Sequence, residues 1–338
     1  MKRIGRLGRP VARFSVLVAL VAGTTVAAAS AQAATGVGTR ADDGAEIVGE
    51  SWSADGRQVV VQVRSPAMGE TLPVKLILPR GWSFAAARTW PVMMMLQGGG
   101  GDTYDTWSRK TDIDTLATAW QVITVFPEAG PHGLYTDYYN KGAFGKPAWE
   151  TFHTQEVLQL VERAYRANTT RAVAGLSSGG YGAAAYATRN PGMFRYMASY
   201  SGLVAIRMPL VRWFVYFSSG DADPSARFGV PFRDERNWEQ HDPLYLAANL
   251  RGTGVFLSSG YTGLPSPADT VGWTPIQAVE PASAANTSAL VLKLRALGIP
   301  VTTDFYPLGE HDWVSWQREL HRSWPVMMQA IGATPDAN

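Results

Sequence analysis

The sequence contains no cysteine, which excludes disulfide scaffolds, cysteine-ligated zinc, iron–sulfur clusters and thiol catalysis. Charged residues make up only 17% of its 338 positions while hydrophobic ones reach 46%. That balance excludes an intrinsically disordered chain. Histidine is scarce, with five in all, and none stands at the H-x-x-x-H spacing of a helical metal site. No acidic residue precedes Asp42. Beyond the first thirty-five residues no stretch approaches the ~20 consecutive apolar residues of a membrane span, and none is expected there. There is no internal repeat.

What the start of the chain does have is basic residues. Lys2, Arg3, Arg6, Arg9 and Arg13 precede an uncharged stretch from Phe14 to Ala34. The apolar part of that stretch ends in Ala31-Gln32-Ala33. A basic start, a short apolar run and an A-x-A end predict a secretory signal peptide over 1–33, and hence a secreted, extracellular or envelope-associated protein. A membrane anchor is the competing reading, weakened by Gly23-Thr24-Thr25 in the middle of the run. Cleavage after Ala33 would leave 305 residues with 25 basic against 28 acidic side chains, turning the net charge from +2 to −3. Nucleic acid is therefore not an expected partner.

A Gly/Ala/Asp-rich linker is expected over 34–50, followed by one domain over 51–334. Two β-rich runs, Gln58–Arg64 and Val74–Leu78, flank a turn near Met68-Gly69 and predict an antiparallel pair. Strands and helices then alternate. Strands are expected at Pro91–Gln97, Gln121–Phe126, Arg171–Gly175, Tyr196–Ser201, Gly254–Gly260 and Pro300–Tyr306. Helices are expected at Asp112–Trp120, Glu150–Tyr165, Ser178–Arg189, Ala284–Leu297 and Trp313–Ile331. This order predicts an α/β fold of the α/β-hydrolase type, a mostly parallel central sheet with helices on both faces. The irregular segment of about 203–249 is expected to be a cap or insertion.

Gly175-Leu176-Ser177-Ser178-Gly179 is the one G-x-S-x-G in the chain. A strand turning sharply into a helix strains the backbone at the middle residue, so small neighbours are needed on both sides. Such a turn would lift the Ser177 hydroxyl above the sheet and leave the next N–H at a helix start, where negative charge is stabilised. A plain glycine/serine turn is the alternative. A serine nucleophile needs a base, and His311, between the last expected strand and helix, has the right place in chain order. His132, His153, His241 and His321 are expected to be surface or hydrogen-bonded structural histidines. The acid partner should fall between Gly260 and His311, where Asp269, Glu280, Asp304 and Glu310 stand. Glu280, at the opening of a helix, is preferred, with Asp269 as the alternative. The run Leu96-Gln-Gly-Gly-Gly-Gly-Asp102 offers backbone N–H groups to a reacting carbonyl, and Gly99 with Ser178 is the expected oxyanion pair. A phosphate loop would need a Lys-Ser/Thr after the glycines, which is missing. Trp213, Trp238 and Trp273 are expected first as core packing, with the lining of an apolar acyl cleft as the alternative.

Taken together, Leu96-Gln-Gly, Leu134-Tyr-Thr-Asp-Tyr-Tyr139, Trp149-Glu-Thr-Phe152, Gly175-Leu-Ser-Ser-Gly179, Ser201-Gly-Leu203, Asp242-Pro243 and His311-Asp-Trp-Val-Ser-Trp316 resemble the esterase family that includes the antigen 85 mycolyltransferases. The resemblance runs from about Val74 to Leu320. It implies acyl-ester chemistry without a cofactor, with nucleophile, acid and base at Ser177, Glu280 and His311 and backbone donors at Gly99 and Ser178. One departure stands out. Where antigen 85 proteins carry Leu-Asp-Gly-Leu-Arg and bind trehalose with the Asp and Arg, this sequence has Leu96-Gln97-Gly98-Gly99-Gly100. The expected activity is that of a serine esterase or acyltransferase on a small-molecule or lipid acyl ester, with water, a sugar or glycerol as candidate acceptors. The alternatives are a trehalose mycolyltransferase and a non-catalytic secreted binding protein.

Overall fold

The computed structural model describes residues 35–140, 147–218, 220, 223–265 and 278–336. The expected signal peptide over 1–33 lies outside them. Nine strands form one sheet: β1 (Glu46–Trp52), β2 (Gln58–Ser65), β3 (Glu70–Ile77), β4 (Trp90–Leu96), β5 (Ile123–Pro127), β6 (Ala167–Leu176), β7 (Tyr196–Tyr200), β8 (Gly254–Gly260) and β9 (Thr302–Tyr306). Their spatial order is β1-β2-β3-β5-β4-β6-β7-β8-β9. The three pairings from β1 to β5 are antiparallel and the five from β5 to β9 are parallel.

Helices cover both faces. They are α1 (Thr106–Lys110), α2 (Ile113–Thr118), α3 (Trp149–Thr151), α4 (Leu158–Tyr165), α5 (Ser178–Arg189), α6 (Pro209–Phe217), α7 (Glu235–Gln240), α8 (Val279–Ala296) and α9 (Trp313–Ala330), with a π-helical stretch at Phe152–Val157 between α3 and α4. Parallel strands buried on both sides need apolar residues at every position, and β4 supplies them. Val92, Met94 and Leu96 point to the core under α4, α5 and α8. Met93 and Met95 point the opposite way, to Trp107, Ile113, Leu320 and Trp324 of α1, α2 and α9. This is the two-residue period of a strand read out as two cores. β2 lies towards the sheet edge and alternates instead, burying Val59, Val61 and Val63.

Two expectations need correction. The linker over 34–50 is not one along its whole length, because β1 begins at Glu46 and pairs with β2, and Ala45 and Ile47 are buried. The acids and Gly49 of Glu46-Ile-Val-Gly-Glu50 obscure the strand; it tolerates them because it is an edge strand with a register shift between Ile47 and Gly49. The excursion between β7 and β8 is also more regular than expected. It carries α6, α7 and a 3₁₀ turn at Ala247–Leu250. Ile206, Val211, Val215, Phe228 and Trp238 close a small core of their own against Tyr181 and Ala185 of α5.

Candidate active site

Ser177 sits between β6 and α5 with φ 50° and ψ −119°, a conformation that L side chains rarely adopt. The flanking glycines permit it. A Cβ at Gly175 would run into the backbone of Gly179, and one at Gly179 into the carbonyls of Leu96 and Gln97. The turn therefore closes only with hydrogen atoms at both positions. The Ser177 N–H donates to Tyr200 O at 2.8 Å, tying the turn to β7.

His311 follows β9, and its Nε2 lies 2.9 Å from Ser177 Oγ. Its Nδ1 lies 2.7 Å from Glu280 Oε2. A carboxylate can only accept there, so Nδ1 carries the hydrogen and Nε2 is left to accept from the serine hydroxyl. Trp316 holds the imidazole edge-on, with ring centroids 5.0 Å apart and planes at 88°.

Glu280 is fully buried in the first turn of α8. Its second oxygen, Oε1, accepts from Gly260 N at 2.6 Å, Ser201 Oγ at 2.7 Å, Ser259 Oγ at 3.1 Å and Tyr306 OH at 3.2 Å. These donors come from the C-terminal ends of β7, β8 and β9, so three strands fix one carboxylate. Ser201 takes φ 52° to reach it and also accepts from Trp316 Nε1 at 3.2 Å. A buried acid needs such partners to remain in place. Neither Ser201 nor Tyr306 was expected as a support, although Ser201-Gly-Leu203 belongs to the motifs that carry the family resemblance.

The alternative acid, Asp269, lies outside the described residues. Asp304 lies within β9 and pairs with Arg322.

The glycine run forms the rim. Gly98, Gly99 and Gly100 line a cavity of about 500 Å³ together with Ser177, Ser178 and His311. A methyl group at Gly99 would come within 3.4 Å of Ser178 Oγ, so the two expected donors are neighbours. Ser178 is the first residue of α5, and its N–H has no acceptor within the helix.

Gln97 behaves differently from the sugar-binding acid it replaces. It is buried, and its Nε2 donates to Asp102 O at 2.9 Å and to Glu128 Oε1 at 3.0 Å. Glu128 also accepts from the backbone N–H groups of Tyr104, Ala129 and Gly130. Tyr135 OH donates to Gln97 O at 2.6 Å. The rim loop is thus braced from below. Asp102 lines the cavity and accepts from Gly98 N–H, and burial raises its carboxyl to a pKa of about 6.

A profile described as Putative esterase matches residues 65–326. The chain belongs to that family. An esterase of Mycobacterium tuberculosis is 30% identical over 222 residues, 64% of this chain. The chain spans only about half of that relative, 48% of its length. The diacylglycerol acyltransferase/mycolyltransferase Ag85A of Mycobacterium leprae is 28% identical over 308 residues, covering 85% of this chain and 88% of that protein. Among solved structures, MPT51 of Mycobacterium tuberculosis superposes with a TM-score of 0.65 at 23% identity, covering 79% of this chain and 96% of that one. An S-formylglutathione hydrolase from Agrobacterium tumefaciens does so at 0.64 and 16% identity, covering 85% and 99%. Both share the α/β-hydrolase fold with this family member.

The cleft of this esterase-family chain is walled by residues other than Trp213 and Trp238, and core packing holds for Trp238. Trp238 is wholly buried in the small core of the insertion, where its Nε1 donates to Gly229 O. Trp213 is on the outer surface, and Trp273 lies outside the described residues. The apolar wall is made instead by Leu134, Leu203, Ile206, Phe214, Trp313 and Trp316. His153, His241 and His321 are hydrogen-bonded structural groups, to Tyr186 and Glu128 O, to Asn237 O, and to Asp112. Burial lowers the pKa of His153 and His241 to about 4. His132 is an exposed residue at the cavity's edge.

Proposed function

We propose that this chain is a secreted serine esterase or acyltransferase with Ser177 as nucleophile, His311 as general base and Glu280 as the orienting acid. The observation that carries the proposal is the Glu280–His311–Ser177 hydrogen-bond chain, at 2.7 and 2.9 Å, opening into an apolar cavity. The Ser177 oxygen attacks the ester carbonyl carbon while its proton passes to His311 Nε2. Glu280 holds the imidazole tautomer and offsets the imidazolium charge. The carbonyl oxygen, now anionic, is met by the Gly99 and Ser178 N–H groups. Collapse breaks the bond to the leaving oxygen, which takes the proton from His311 and departs as an alcohol. The acyl-enzyme that remains is resolved by water or by an acceptor alcohol, which gives its own proton to His311 as it attacks; Ser177 recovers its proton as it leaves. No cofactor is required.

Likeness to Ag85A favours an alcohol acceptor, glycerol or a sugar, as the second reading. Its trehalose form is disfavoured, because Gln97 is buried under the rim and Gly98, Gly99 and Gly100 stand next to it along the cavity. Secretion rests on the leader over 1–33, and the mature protein would begin at about Ala34.

A fluorophosphonate probe tests the core of the proposal. Folded protein should gain one adduct on Ser177, and Ser177→Ala should abolish both labelling and hydrolysis of p-nitrophenyl esters, the latter by a factor on the order of 10⁴ or more. Labelling that survives Ser177→Ala would remove Ser177 from its role. Adding glycerol or trehalose to the assay separates transfer from hydrolysis by the products formed.

A further inference from the structure

α6 is inside out. A surface helix ordinarily turns its apolar side inward and its charges to water. Here Leu210 is 87% exposed, Phe217 68%, Phe214 52% and Trp213 42%. The one charged residue of the helix, Arg212, is buried; its two terminal nitrogens each donate at 2.9 Å to a carboxylate oxygen of Glu235 on α7. Phe232 extends the face. It is 66% exposed and held at φ 66°, a region that bulky residues rarely enter. Its ring lies over the Arg212 guanidinium, 4.4 Å away, and 6.1 Å from Trp213. Trp213 in turn stacks on Phe217, with centroids 5.8 Å apart and planes at 18°. Protruding aromatic and leucine side chains on a short helix, with no charge of that helix among them, have the character of an interfacial anchor. The face is also continuous with the cleft, because Phe214 and the neighbouring Val215 line the cavity.

We propose that this face of α6, with Phe232, docks on a lipid surface and sets the mouth of the cavity against it. Only the consequence for the substrate rests on the esterase reading: a water-insoluble acyl ester would enter from the lipid without crossing water. The docking itself needs no turnover. Because the attraction is apolar, zwitterionic lipid suffices and salt does not weaken it.

The test uses the full mature chain carrying Ser177→Ala and vesicles of phosphatidylcholine, with binding measured by flotation. We expect binding that is unchanged from low to high salt. Leu210→Glu with Phe217→Glu should lower it by at least about tenfold, since each moves a large apolar side chain's worth of transfer energy. Both residues are exposed and outside the cavity lining, so the double variant should keep the near-ultraviolet circular dichroism and melting temperature of its parent. With Ser177 restored, it should also turn over p-nitrophenyl acetate within about twofold of the parent. Three results would overturn the proposal: no vesicle binding by the parent, equal binding by the double variant, or a dimer that the double variant dissolves. In the last case the face serves a second copy of the chain. If vesicles bind and no ester is cleaved, the docking stands and the esterase reading falls.

Discussion

Glu280 lies buried behind His311, and Phe214 lines the cavity onto which that histidine opens. Four donors from three strands converge on one oxygen of Glu280 within 3.2 Å. Phe214 lines the same cavity from a helix whose outer face has no cover and whose support is a core of a few side chains. The floor is made of strand ends within one sheet, so each position is fixed by several others. The roof is an excursion between two strands; its small core packs on Tyr181 and Ala185 of α5, while Val204, Ala226, Ala247 and Leu250 join the main core and Asn286 of α8 holds Ala205. Such a division lets the chemistry stay fixed while the shape of the substrate site changes, as expected where loops on a rigid scaffold carry specificity.

The comparison can be broken most severely at the floor. Glu280→Gln should lower kcat for a short p-nitrophenyl ester by about 10²- to 10⁴-fold. An amide placed there offers an N–H either to the donors Gly260 and Ser201 or to His311 Nδ1, and the second choice stabilises the wrong imidazole tautomer. A loss below tenfold would mean that the hydrogen bond to His311 does little for the reaction. At the roof, Trp238→Ala should cost about 3–5 kcal/mol of packing and leave Gly229 O without its donor. Because that core is separate from the strands, hydrolysis of acetate esters should persist while KM for long-chain esters rises, measured across acyl lengths below the melting temperature. Equal losses for all chain lengths would show floor and roof to be one unit.

The smallest expected effect is at the rim between them. Asp102 titrates at about 6 in the folded protein against an ordinary value of 3.8, because burial disfavours its charge. Its folded pKa is raised, so its contribution to stability is full below about pH 4 and is lost as pH rises through about 6. Asp102→Asn lacks that titration. Its stability relative to the parent should therefore improve from pH 4 to pH 7, read from urea unfolding at both values. A change in the opposite sense would mean that the Gly98 N–H outweighs burial.

The floor was largely legible in the sequence, and the roof was not. β4 reads as a strand because a parallel strand buried on both sides is apolar throughout, and Ser177 reads as a nucleophile because its turn demands glycine at 175 and 179. His311 follows from chain order. Glu280 could be preferred but not fixed, since four of the groups that hold it come from segments 20 or more residues away. The roof defeats periodicity for a physical reason. α6 carries its charge inward and its aromatics outward, so no apolar period marks Phe214 as a wall of the cleft. β1 was hidden in the same way by the acids that an edge strand can carry.

The glycine rim has one more consequence, for how such a protein could change its preferences over time. Gly100 and Gly101 have open space around them, with φ values of +72° and +109°. Nothing there rejects a side chain for lack of room; only the backbone conformation does. Asparagine and aspartate tolerate left-handed geometry better than other residues, which favours them at Gly100, the nearer of the two to that region. A single change of that kind would place an amide or a carboxylate at the lip of the cavity without disturbing Gln97, Glu128 or the strands beneath. The rim is an unwritten position in an otherwise committed site, and a further polar contact to an acceptor could be gained there in one substitution.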